Sequence, residues 1–230
     1  MPTFEPLKVI KQKKISDQVY DQLLMHIKND TWREGEKLPS ENELKNQFCV
    51  SRISIRQAIQ KLTALGIVET RQGEGTFLKK VTSDNYTNML FPAFMINKNT
   101  LTEILEYRSI MEVGALELAC DRITEEEITS LERIVSRMEK NSHDDKKFAS
   151  DDLAFHNVIA RASKNDLIIN VSVFVFELMA ESMEHIVTTL GMKDGKHFHR
   201  LILEKIKQQD KEGAVRAMRE HVANTVVRMG

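Results

Sequence analysis

Apolar positions along the first third of the chain keep helical spacing and then switch period. Ile15, Val19, Leu23 with Leu24, and Ile27 form one stripe, which predicts a helix opened by Ser16 and ending near Asp30. Gly35 to Pro39 reads as a turn. Ser40 and Glu43 then have the spacing of a capping box, opening a short helix to about Gln47. Phe48-Cys49-Val50 is a tight connection, and Ser51 opens a second helix through about Leu65, with Ile55, Ile59 and Leu62 facing inward and Gly66 stopping it. Two short helices on so short a connection have helix-turn-helix geometry. Beyond them, Ile67 to Arg71 alternates as a strand, Gln72 to Gly75 turns, and Thr76-Phe77-Leu78 returns, a β-hairpin wing.

From Leu101 onward the pattern is helix after helix. The first carries Leu101, Ile104, Leu105, Arg108, Met111, Glu112 and Ala115. Thr124 caps the next, whose stripe is Ile128, Leu131, Ile134, Val135 and Met138 and whose Glu125-Glu126-Glu127 sit at the positive end of its dipole. A third spans about Asp144 to Ser163, Asn165 caps a fourth, a fifth spans about Gly195 to Gln208, and Asp210 opens a sixth. The expected fold is mainly α: a winged helix-turn-helix over 1–80, a linker over 81–99, and an all-α antiparallel helical bundle over 100–230.

Composition narrows the classes. With 41% hydrophobic and 29% charged residues, the chain has material for packed cores. Two cysteines, Cys49 and Cys120, exclude a disulfide scaffold and a Cys-rich zinc finger. No apolar run approaches the roughly 18 residues of a membrane helix, and Met1 to Lys14 lacks the apolar stretch of a signal peptide. A cytoplasmic protein with no membrane partner is expected. The net charge of −1 hides an asymmetry: the first 80 residues carry 14 Lys and Arg against 10 Asp and Glu, the rest 19 against 24. The front can therefore approach a polyanion.

In a helix-turn-helix, the N-terminal end of the second helix meets bases and phosphates in the major groove, and here that end carries Arg52, Arg56 and Gln57. Arginine's planar fork suits guanine O6/N7 or a phosphate. The glycines of the hairpin let backbone approach a sugar-phosphate chain closely. The bland alternative is a small helical domain whose arginines solvate a face. Against it stand Gly35-Glu36-Lys37-Leu38-Pro39-Ser40-Glu41-Asn42-Glu43-Leu44, Val50 to Ala58, Leu65-Gly66-Ile67-Val68 and Gly73-Glu74-Gly75-Thr76-Phe77, which resemble the winged helix-turn-helix of GntR-type bacterial repressors. The resemblance implies that Arg52 and Arg56 contact DNA and that Gln72 and Gly73 enter the minor groove. Ser40, Asn42, Ser51, Ser54 and Gln57 complete the candidate DNA contacts. Asn42 stands where many relatives carry a basic residue, and Cys49 where glycine is usual; Cys49 is read as a packing residue rather than a thiol sensor. A module this small makes few contacts, so a homodimer on a near-palindromic double-stranded operator is expected.

In the back module, Asp152 and His156 stand at i and i+4 on the third helix, His199 lies on the fifth and His221 on the sixth. Three imidazoles and a carboxylate suit a divalent metal: zinc first, then nickel, manganese or iron. The bland alternative is surface hydrogen bonding, with His197 and His199 solvated. His26, His143 and His185 are assigned no role. Asp152 to His156, His199 to Ile206, Asp210, Ala214, Ala217-Met218-Arg219 and His221 resemble the effector domain of the FadR subfamily, called FCD. That resemblance implies that Asp152, His156, His199 and His221 ligate one metal. It also implies that Arg108, in the similar run Tyr107 to Glu112, faces the pocket and pairs with an acidic effector, with Glu112 beside it; the alternative for Arg108 is a salt bridge to Glu112. The resulting expectation is a non-enzymatic, ligand-responsive transcriptional regulator sensing a sugar acid, hydroxy acid or dicarboxylate. Two rivals stand beside it: a metal-dependent enzyme using the Asp/His₃ set, and a metal-free regulator sensing a larger apolar or acyl-CoA effector.

Overall fold

The structure, a computed structural model, describes residues 13–80, 101–141 and 143–229. The chain divides between Val81 and Thr82 into two compact units. The stretch read as a linker, 81–99, lies outside the described residues.

The first unit contains α1 (Ile15–Lys28), α2 (Glu41–Phe48), α3 (Arg52–Ala64), β1 (Val68–Arg71) and β2 (Gly75–Leu78). The strands pair antiparallel, Val68 opposite Leu78 and Arg71 opposite Gly75. Val19, Leu23, Leu38, Leu44, Ile55, Leu62 and Val68 close a core of their own. The capping box forms as read: the Ser40 hydroxyl accepts from the Glu43 amide, and the Glu43 carboxylate accepts from the Ser40 amide at 2.7 Å. Ser51 caps α3, and Gly66, with φ of +67°, terminates it.

Three readings are corrected here. Ser16 caps nothing: α1 begins after Lys14 and makes no side-chain cap. Gly35 to Leu38 is more than a turn, because the Gly35 and Leu38 amides donate to the Leu78 and Thr76 carbonyls at 2.9 and 2.8 Å and extend the wing by a third short segment. Cys49 is exposed, so it is not a packing residue; its φ of +52° explains why glycine suits this helix end.

The second unit contains α4 (Leu101–Ala119), α5 (Glu125–Lys140), α6 (Asp145–Ala162), α7 (Asp166–Leu190), α8 (Lys193–Lys207) and α9 (Lys211–Met229). With the wing as the small sheet of the first unit, the chain has the mainly helical fold expected. Thr124 and Glu127 form a second capping box, and Asp144 and Asn165 cap α6 and α7. The α5 stripe Leu131, Ile134, Val135 and Met138 is buried as its period requires. Helix α6 packs against α4, α5 and α7, and α9 against α4, α7 and α8, so donors on these helices converge inside the bundle. Helix α8 starts at Lys193 rather than Gly195, and Gly195 lies inside it, where a Cβ would stand 3.1 Å from the Phe148 ring. Among the described residues no helix is long and apolar enough to cross a membrane.

Candidate metal centre and nucleic-acid interface

The four donors read from sequence come together. Asp152 and His156 project from one face of α6, His199 from α8 and His221 from α9, and all four are buried. One ligand atom from each lies within 4.8 Å of all the others. The Nε2 atoms of His199 and His221 stand 3.1 and 3.3 Å from His156 Nε2, and His199 Nε2 stands 3.4 Å from Asp152 Oδ1. Nitrogens bound to one zinc at about 2.0–2.1 Å lie about 3.0 Å apart at right angles and about 3.4 Å apart at tetrahedral angles. The three spacings just given fall in that range, and His156 Nε2 to Asp152 Oδ2, at 3.8 Å, is longer.

Hydrogen bonding alone does not settle this cluster. Glu112 Oε2 lies 2.7 Å from His156 Nδ1, close but out of line for a hydrogen bond; a proton on Nδ1 would leave a lone pair on Nε2. One in-plane lone pair cannot accept well from two other imidazoles at once. A cation at the centre satisfies all the inward lone pairs, and a carboxylate behind a ligating imidazole is the usual support for such a ring. The residues therefore fit a divalent ion.

Charge in the surroundings is arranged to match. Burial, followed by the neighbouring His156, holds the His199 imidazole well below its ordinary 6.5, and burial followed by His199 and His156 does the same for His221. Both rings stay neutral, as ligands must. Burial would raise the Glu112 carboxyl, but the Arg108 guanidinium and the neighbouring His156 ring outweigh it and hold the group well below the usual carboxylate range. Arg108 is itself buried; its Nε donates to Glu112, and its Nη2 lies 3.9 Å from Asp152 Oδ2. The adjacent Asp151 points elsewhere, accepting from Arg137 Nε at 2.8 Å and Asn141 Nδ2 at 3.2 Å on the α5 side. His197 and His185 are exposed and stand outside the cluster, as do His26 and His143.

A cavity of about 50 Å³ adjoins the donors. Arg108, Asp152 and His221 line it, with Leu105, Phe148, Met183 and Val187 as apolar wall. Four further polar lining residues escaped the sequence reading: Asp194, Asn224, Thr225 and Arg228. Three of them had a signal, since Asn224, Thr225 and Arg228 follow His221 at i+3, i+4 and i+7 on the face of α9 that carries the ligand. Arg228 Nη1 pairs with Asp194 at 2.6 Å and its Nη2 donates to the Leu190 carbonyl.

The head presents its candidate residues outward. Arg52, Arg56, Gln57, Asn42, Ser40, Ser51, Gln72 and Gly73 are exposed and Ser54 is half-buried. Arg56 forms a two-pronged pair with Glu41, at 3.1 and 2.9 Å, and Arg52 donates to the Asn42 amide oxygen. Both arginines of α3 are thus held by α2. Ser40 and Ser51 spend their hydroxyls as acceptors in caps, and the Ser51 and Ser54 hydroxyls lie 2.9 Å apart. Gly73 takes φ of +77° at the wing tip, which a side chain would resist. Glu41 as the partner of Arg56 was not foreseen, for 15 residues and a turn separate them.

Comparison with known proteins agrees with this division. Residues 15–78 match the family description "Bacterial regulatory proteins, gntR family", and residues 103–224 match "FCD domain". The HTH-type transcriptional regulator LutR of Bacillus subtilis (strain 168) is 34% identical over 157 residues, covering 68% of this chain and 72% of LutR. The HTH-type transcriptional repressor NanR of Enterobacter sp. (strain 638) is 26% identical over 225 residues, covering 93% of this chain and 84% of NanR. Among solved structures, Streptococcus agalactiae GntR is similar with a TM-score of 0.69 and 28% identity, covering 93% of this chain and 99% of that one. These families and relatives are transcription regulators, which removes the enzyme rival. The chain belongs to the gntR family of bacterial regulatory proteins, in the group that carries an FCD domain, and it is a transcriptional regulator of that type.

Proposed function

We propose that residues 1–80 form a DNA-reading head, that 100–230 form a sensor for a small organic acid, and that 81–99 link them in a cytoplasmic homodimer on a near-palindromic operator. The observation that carries the sensing half is the buried Asp152, His156, His199 and His221 set, of which Asp152 and His221 line a cavity together with Arg108. A divalent ion held by these four would supply a positive centre with positions open to a ligand oxygen. Arg108, Glu112 and Asp152 sum to one negative charge when the imidazoles are neutral. Addition of a divalent ion makes the pocket singly positive, the complement of one carboxylate. Arg108 then serves as counter-charge to that carboxylate, while Glu112 orients His156.

Size supports a small ligand. The enclosed part of the cavity, about 50 Å³, has the size of a few waters and suits a compact acid better than a long apolar chain. The acid can change DNA binding only through different affinity for two arrangements of the heads. Arg52 and Arg56 supply the head's charged contacts, and Gln72 and Gly73 its approach to the minor groove.

The test is fluorescence anisotropy on a duplex that the protein itself selects from a random pool. Sugar acids, hydroxy acids and dicarboxylates are titrated with and without chelator. An active acid is expected to change the affinity for DNA only in metal-replete protein, and His199→Ala should abolish that response. An acid response that survives both chelation and His199→Ala sinks the sensing mechanism.

A further inference from the structure

We infer that Ile53 reads a thymine methyl group in the major groove. This rests on the DNA-reading role proposed above for the head. Ile53 is the second residue of α3 and is 71% exposed, the most exposed large hydrophobic side chain among the described residues of the head. A single exposed apolar residue is ordinary on a protein surface, so exposure alone decides nothing. Its position decides.

Helix α3 buries Ile55, Ala58, Ile59 and Leu62 against the core. Ile53, Arg56 and Gln57 stand at i, i+3 and i+4, and all three are exposed, so they form one outward stripe at the helix's N-terminal end. That is the end which a recognition helix presents to base edges. Arg52 and Arg56, on either side of Ile53, are each paired with a residue of α2.

Within such a stripe isoleucine can do one thing. It neither donates nor accepts, so set against guanine O6/N7, adenine N6/N7 or cytosine N4 it would strip water from those groups and replace nothing. The one apolar feature of the major-groove floor is the C5-methyl of thymine. A β-branched side chain in a helix has essentially one χ1 rotamer, so the Ile53 methyl groups point in a set direction at little entropic cost. The basic groups beside it bring the polyanion to this surface, and Ile53 then selects thymine at the position it faces.

Uracil is thymine without that methyl, which makes the test a change of one group on each side. A duplex is selected from a random pool by the wild-type protein, and its thymines are replaced one at a time by uracil at fixed salt. At one position of the half-site, uracil is expected to weaken wild-type binding roughly fourfold, the worth of one buried methyl. Ile53→Ala should bind the thymine duplex more weakly and show no difference between thymine and uracil at that position. Its melting temperature should be nearly unchanged, since the residue is 71% exposed and lies outside the head's core. Wild-type protein indifferent to uracil at every position, or Ile53→Ala as sensitive as wild type, overturns the inference and leaves the DNA-reading role intact. A pool from which no duplex is enriched overturns that role and this inference with it.

Discussion

The two units place their charged chemistry in opposite ways. In the head, Arg52 and Arg56 lie in water, each steadied by one neighbour on α2. In the bundle, Arg108, Glu112, Asp152 and three histidines are almost wholly out of water. Exposed charges cost little to place and are screened by salt. Buried ones are tolerated only when each has a partner, and removal of one partner leaves the others stranded. The head can therefore exchange its neighbours for phosphates and bases, whereas in the bundle a change at one group is felt by its buried partners.

Breaking the buried set should have the largest effect. His199→Ala is expected to lower divalent-metal affinity by more than about 100-fold, because loss of a direct donor exceeds the 10–100-fold typical of loss of a supporting group. Competition against a chromophoric chelator measures it. Glu112→Gln is expected to lower metal affinity about 10–100-fold by weakening the hold on the His156 Nδ1–H, with the fold intact by circular dichroism. An unchanged affinity would mean that Glu112 supports only Arg108.

Effects on the exposed side should be smaller and separable. Arg56→Ala is expected to weaken binding to the selected duplex by about tenfold, with the melting of the bundle unchanged. A uniform loss across sequences with a shallower salt dependence marks a phosphate contact, and relaxed preference at one position marks a base contact.

The buried histidines also predict a pH dependence in metal-free protein. Burial holds His199 and His221 below 6.5 in the folded state, so on acidification the unfolded chain takes up protons first. Stability is then fully present above about pH 6.5 and falls as pH drops through that value toward the lower folded pKa values. Melting of chelator-treated protein between about pH 8 and pH 5 checks the sign. A melting temperature that is flat or rises on acidification would contradict it. The smallest expected effect is in the head: Cys49→Gly should stabilise that unit by about 1 kcal/mol, since a left-handed residue loses its Cβ conflict.

Much of this was legible in the sequence where interactions are local. The capping boxes at Ser40 and Thr124, the buried stripes and the wing follow from periodicity and from residues three or four apart. The four donors were legible as types spread over three helices, but their meeting point was not; it needs α6, α8 and α9 to pack. Glu112 shows the limit best. Its spacing from Arg108 predicts the salt bridge that is found, yet its second oxygen meets His156 on another helix. Asp194 and the pairing of Gly35 to Leu38 with β2 were hidden for the same reason, for they are juxtapositions made by folding. Cys49 was misread because a left-handed helix end outweighs the usual preference of cysteine for the interior.

The bundle's buried donors are proposed to hold one divalent metal ion. Elemental analysis of protein purified without a histidine tag tests it most directly, with His199→Ala beside it. One divalent ion per wild-type chain, absent from His199→Ala, and a melting temperature that falls when chelator is added, is the predicted result. Wild-type protein that carries no ion, takes none up from added zinc, nickel, manganese or iron, and melts identically with and without chelator would contradict the account.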